Sequence, residues 1–213
     1  MEQADYIPER LYDTLGMIAG FYLKDTSFLF KLYKAFVERR RFLEDEKNDV
    51  FYEREDDYYI LSYQGKACGF EEADFKSLLV SMLDLFEDTL PLGTVVDLKK
   101  SVYEGVAELE KVENIRMVVT YRFLNTESDS HFFPYAGVVY PTGMLAEFPE
   151  VVYFTLPLVE RIVHKGYRDK DELAFVYLMK KELVIDKGKN SFGYATPEEI
   201  KSFNKQVKGS AVV

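Results

Sequence analysis

A chain of 213 residues, 47% hydrophobic and 15% aromatic, can bury a core without disulfides or metal, which excludes a disordered chain. One cysteine rules out an internal disulfide, and one Cys with two His cannot assemble a four-ligand zinc site. A formal charge of −10 repels a phosphate backbone, so nucleic acid is excluded as a partner in favour of a basic protein.

The first ten residues, MEQADYIPER, carry acids where an export signal needs bases, and no apolar run nears the roughly 20 residues that span a bilayer. A soluble, cytoplasmic protein is expected, with no membrane partner. From Ile7 to Glu46 apolar residues recur at spacings of three and four, through Leu11, Leu15 and Ile18 and then Phe28, Leu32, Ala35 and Phe36. This spacing predicts two amphipathic helices, the second capped by Asp25. The period then changes to runs rich in Tyr, Phe, Val and Ile around Asp56-Asp57, which predicts a β-hairpin over Asp49–Gln64. Gly65 and Gly69 flank the next turn, and Phe75, Leu78, Leu79, Met82, Leu83 and Phe86 share a stripe that predicts a third helix from about Glu71 to Asp88.

Leu90-Pro91-Leu92-Gly93 ends that helix and opens a section of strand-like pieces: TVVDL, RMVVTYRFL, FFPYAGVVY, EVVYFT and ERIVHKGY. Ser101–Lys111 reads as a short helix inserted into the first hairpin. The segment after Gly166 opens with acids and closes with lysines, matching the helix dipole at both ends. From Asp186 apolar content falls and a mobile basic tail is predicted, interrupted by a capping box at Thr196–Glu199 and a short helix to about Gln206. The expected fold class is α+β: N-terminal helices with a β-hairpin, then an antiparallel β-meander of four or five strands with a C-terminal helix packed on it. The corresponding sections are 1–89, 90–185 and 186–213.

No catalytic constellation emerges. His131 and His164 have no Ser or Cys nucleophile placed near them by a known motif, and Cys68 neighbours the acidic Glu71 and Glu72 rather than a positive group. The run Glu44–Asp57 holds eight acids against two bases but lacks the EF-hand spacing, and the glycines form neither a dinucleotide nor a Walker motif. No cofactor, no metal and no enzymatic activity are expected. The partner-binding candidates are Tyr52, Asp56, Asp57, Tyr58, Tyr59 and Tyr63 of the hairpin, because tyrosines on both strand faces leave one face for solvent or a partner. The alternative is a hairpin covered by the chain's own helices. Phe132, Phe133 and Tyr135 form a second candidate edge.

Five ordered pieces, LPLGTVVDLK, MVVTYRF, YAGVVYPTGM, VYF and RIVHKGYRDKDE, resemble an uncharacterised small domain found in type VII secretion gene clusters of Gram-positive bacteria, beside LXG-type polymorphic toxins. Tyr135–Gly143 is the most specific piece, and the resemblance spans about residues 90–182. It implies a cytoplasmic accessory protein that binds a cognate toxin as chaperone or targeting adaptor, with an immunity protein that neutralises the toxin as the alternative. It supplies no catalytic residues. The insertion Ser101–Arg116 and the N-terminal section depart from the family's short form.

Overall fold

The computed structural model describes residues 7–100, 114–125, 130–144 and 151–195, so the helices expected over 101–111 and 196–206 lie outside the described residues. The fold is α+β and divides into two units. The first comprises Met1–Asp88 with Lys180–Gly188, and the second Thr89–Met179 with Lys189–Val213.

In the first unit, helices α1 (Tyr12–Tyr22) and α2 (Ser27–Val37) follow the apolar spacing and bury Leu15, Ile18, Leu29 and Leu32. The N-cap of α2 is Thr26 rather than Asp25, but the Asp25 carboxylate one residue earlier still accepts from Ser27 N, the first helical N–H, at 3.0 Å. The helical reading fails beyond Val37, because Arg39 takes a left-handed φ of 53° and its N–H closes on Phe36 O at 3.0 Å. The freed chain becomes β1 (Phe42–Asp45), the outer strand beside β2 (Val50–Glu55).

Strands β3 (Tyr58–Tyr63) and β4 (Lys66–Glu71) complete, among the described residues, a four-stranded antiparallel sheet in the order β1-β2-β3-β4. The expected hairpin is therefore the middle of a larger sheet. One face alternates Val50, Tyr52, Tyr59, Leu61, Cys68 and Phe70 into the core, where α3 (Glu72–Phe86) lays Phe75 on it. Phe75 stacks on Tyr59 at 5.1 Å and on Tyr52 at 5.6 Å, and meets Phe36 at 5.7 Å.

Helix α3 ends at Glu87, whose neighbourhood also holds Lys180. The Lys180 ammonium donates to Leu85 O at 3.2 Å and to Glu87 O, capping the helix's last carbonyls. Burial pushes the Glu87 carboxyl up to about 7, with the Lys180 charge pulling the other way. Its folded pKa is raised, so the stability from its protonated form is complete below about pH 4.5 and is lost as pH rises through 7. Glu87→Gln is expected to leave the melting temperature near wild type at pH 4.5 and to raise it at pH 8, by a gain of up to about 3 kcal/mol. Thermal melts of both chains at the two pH values check this.

In the second unit β5 (Val95–Leu98), β6 (Ile115–Leu124), β7 (His131–Val139), β8 (Val152–Phe154) and β9 (Val159–His164) pair antiparallel, as expected. The order departs from a meander. The path runs β10-β7-β6-β5-β9, with β8 paired to β7, so β9 returns to the far side of β5. Strand β10 (Asn190–Ser191) pairs parallel with β7, and Lys189, Ser191 and Tyr194 are buried. The supposed tail is thus folded structure as far as residue 195.

The core joins Leu90, Val96, Leu98, Met117, Val119, Tyr135 and Phe154. Helix α4 (Lys170–Lys180) meets the sheet more narrowly than expected. Glu172 pairs with the buried Arg122 through both carboxylate oxygens, and the Phe175 ring lies 6.2 Å from Phe123, but no α4 residue is buried.

Candidate partner-binding surface

Strand alternation separates the candidate residues of the hairpin. Tyr52 and Tyr59 are fully buried in the core of the first unit, so they cannot serve as contact residues, and the covering by the chain's own helices holds for that face. Tyr63 lies half-buried on the same face, edge-on to Phe21 at 5.3 Å. Phe132, Phe133 and Tyr135 are likewise buried, with Phe133 stacked on Phe192 at 4.5 Å. The second candidate edge is therefore core, fixed by the 192–194 turn that looked like tail in the sequence.

What remains at the surface is Asp56, Asp57 and Tyr58, and register shows what surrounds them. Glu55 pairs with Tyr58, which pairs with Glu71; Glu53 pairs with Ile60 and Phe42; Phe51 pairs with Glu44 and Ser62. Residues directly opposite share a face. The outer face thus sets Phe42, Phe51, Tyr58 and Ile60 among Glu44, Glu53, Glu55 and Glu71. Phe42 is 51% exposed and Tyr58 47%, with Phe51 and Ile60 half-buried. Phe42 and Phe51 form a ring pair at 6.5 Å.

Local backbone explains how the tip holds its shape. Asp56 adopts φ 53° in the two-residue turn, a conformation Asp tolerates better than most residues. Tyr58 lies across Gly69, where an added Cβ would overlap its ring. Within this run of eight acids Asp45 is tied into the fold, accepting from Tyr22 Oη at 2.9 Å and from Asn48 Nδ2 at 2.7 Å, while the exposed Asp57 pairs with Arg54 at 4.0 Å. Burial pushes the Asp45 carboxyl up, but these hydrogen bonds outweigh it and hold the carboxyl below its ordinary value. The other seven acids are exposed. The sequence does not single out Phe42, Phe51, Ile60 and Glu71: Phe42 falls in the stretch with helical spacing and Glu71 at the expected start of the third helix, while Phe51 and Ile60 lie inside the expected hairpin but gain their apolar neighbour only when β1 pairs with β2.

A different role falls to the motif residues of the second unit. The Tyr135 hydroxyl accepts from Leu90 N at 3.1 Å, and the Thr94 hydroxyl donates to Pro91 O at 2.7 Å while accepting from Gly166 N at 3.0 Å. Arg168 donates to Thr89 O. Pieces far apart in sequence thereby lock the Thr89–Thr94 loop. On the adjoining strands the buried Asp97 carboxylate takes Arg116 Nε at 2.7 Å from β6 and Arg161 Nη2 at 2.5 Å from β9. Hydrogen bonds from Arg116, joined by those from Arg161, hold that carboxyl below its ordinary value against the opposing effect of burial.

Among the described residues no group of three or more His, Cys, Asp or Glu side chains is placed to hold a metal ion, and no helix is long and apolar enough to cross a membrane. The core of the first unit leaves a small gap lined by apolar side chains such as Leu29, Phe75 and Leu79.

The geometry therefore defines an α+β protein with an uncovered, acid-rimmed apolar sheet face in its first unit. Residues 89–175, all within the second unit, match the model of a family described as a domain of unknown function, DUF4176. No curated protein and no solved structure matches the chain.

Proposed function

We propose that this protein is a non-enzymatic, cytoplasmic accessory protein of type VII secretion that binds a cognate LXG-type toxin as chaperone or targeting adaptor. The observation that carries the binding part of this reading is the outer face of the β1–β4 sheet, where four apolar side chains stand among four glutamates. Exposed apolar area rimmed by charge is what a protein interface requires: the apolar centre supplies affinity and the rim supplies partner choice and speed of encounter. The acids favour a client whose docking surface is basic. The link to toxin loci is supported by the five motif pieces between residues 90 and 182, which the DUF4176 match largely overlaps.

The two parts divide the labour. The matched segment builds a scaffold locked at Thr89–Thr94, while the proposed contact face lies in the first unit, outside that segment. A client-specific surface carried on a common scaffold accounts for that division.

Capture with the full chain from native cytoplasm, followed by mass spectrometry, tests the reading. The expected catch is a toxin of the same locus, and co-expression is expected to raise the yield or export of the full-length toxin. Growth rescue from the isolated toxin domain, without an effect on yield, would reassign the protein as an immunity factor. Recovery of nucleic acid or a metabolite in place of a protein would overturn the reading.

A further inference from the structure

Among the described residues the sheet of the first unit has an open edge at β1, which pairs with β2 and has no second neighbour. Arg54 N donates to Arg41 O at 2.8 Å, which marks Arg41 and Arg54 as a hydrogen-bonded pair. Such pairs alternate along an antiparallel ladder, so Leu43 opposite Tyr52 and Asp45 opposite Val50 also turn their backbone groups toward β2. Phe42 and Glu44 therefore turn their N–H and C=O groups away from the sheet. Neither backbone finds a hydrogen-bond partner among the described residues, and both side chains are exposed. The strand has no Pro, Lys or bulge, devices that commonly block such an edge.

Hydrogen bonding and charge together define what this edge accepts. Four outward backbone groups on alternate residues match an extended chain, whereas a helix has already used its own along its length. Glu44 is followed by Asp45 and Glu46, and the run Glu44–Asp57 holds eight acids against two bases, of which Arg54 already pairs with Asp57. That surplus favours a cationic strand. It disfavours a second copy of this chain, whose β1 would bring an equal acidic run to the same edge. An added strand places residues two apart opposite Glu44 and Phe42 on the outer face, so these positions suit a Lys or Arg and an apolar side chain.

We infer, resting on the outer-face reading above, that β1 takes up an extended basic segment of the client as an antiparallel fifth strand of this sheet. Backbone bonds to Phe42 and Glu44 fix the register of the segment. Its outer side extends the face that carries Phe51, Tyr58 and Ile60.

The probe is the peptide acetyl-Lys-Thr-Lys-Thr-Val-Thr-amide, titrated to about 5 mM into the isotope-labelled full chain and followed by amide exchange. In the free chain the Phe42 and Glu44 amides should exchange faster than those of Leu43 and Asp45, and saturation should slow them by about fivefold or more. Glu44→Pro removes an outward N–H while sparing the ladder to β2, so it should abolish binding, whereas Glu44→Gln should weaken it only several-fold. Circular dichroism confirms that both variants are folded. On the unaltered chain, N-methylation of the probe's second Lys and its Val blocks the bonding edge and keeps the charges, and should abolish protection. No binding by about 5 mM, binding without protection of the two amides, or undiminished binding by Glu44→Pro or by the methylated probe would overturn the inference and leave the outer-face reading standing. A dimer of the free chain that Glu44→Pro dissolves would overturn it in favour of a second copy. The outer-face reading fails separately, through a captured toxin indifferent to Phe42→Ala with Tyr58→Ala.

Discussion

Phe75→Ala is expected to destabilise the first unit by about 3–5 kcal/mol, the range for emptying a fully buried aromatic site. Phe75 has no exposed surface and is shared by Tyr59, Tyr52, Phe36 and Phe70, at ring separations from 5.1 to 6.1 Å. These rings come from α2, α3 and three strands, so the cavity cannot collapse by moving one of them. Loss of the stacking adds to loss of burial. The control is Tyr59→Phe, which removes only a buried hydroxyl that has no hydrogen-bond partner among the described residues, and which should cost little or stabilise. Urea denaturation followed by far-UV circular dichroism measures both. A cost below about 1 kcal/mol for Phe75→Ala would contradict this packing.

Gly166→Ala is expected to destabilise the second unit by about 2–3 kcal/mol through overpacking. A methyl at this position would overlap Leu92 O and come within 3.0 Å of Leu92 C and Thr94 N. These are backbone atoms, so the new group cannot be accommodated by a rotamer change. The loop it displaces is the one whose Thr94 hydroxyl accepts from Gly166 N and whose Leu90 N–H reaches Tyr135. Hydrogen exchange should accelerate in β5 and β9 while the first unit's sheet keeps its protection. Equal acceleration in both sheets would contradict the division into two units.

The helices and most strands were legible because their periods are clean. Phe75, Leu78, Leu79 and Leu83 could face one core only as a helix, and TVVDL and RMVVTYRFL could bury a face only as strands. The failures share a physical cause: a backbone conformation or a distant partner outweighed the local pattern. Phe42 and Leu43 continue the helical spacing of α2, but the left-handed Arg39 ends the helix and redirects them into β1.

Gly69 resembles a turn residue, yet its missing side chain makes room for Tyr58 inside a strand pairing. The tail beyond Asp186 looked too polar to fold, but Phe192 stacks on Phe133 of a strand some 60 positions earlier, a contact no local window contains. The candidate surface was half legible for the same reason. Asp56, Asp57 and Tyr58 were recognisable as an exposed tip. Tyr52 and Tyr59 could be assigned to the core only once strand alternation and α3 were known, and Phe42, Phe51 and Ile60 join the face only through the four-stranded register.

The central claim, that the outer face of the β1–β4 sheet holds the client, is tested most directly by binding kinetics of the captured toxin on two folded variants. Phe42→Ala with Tyr58→Ala removes the exposed apolar centre and is expected to speed dissociation by about 30-fold or more, equivalent to about 2 kcal/mol. Glu53→Gln with Glu55→Gln removes rim charge and is expected to slow association and flatten its salt dependence, with dissociation little changed. Unchanged rates in both variants would contradict the claim.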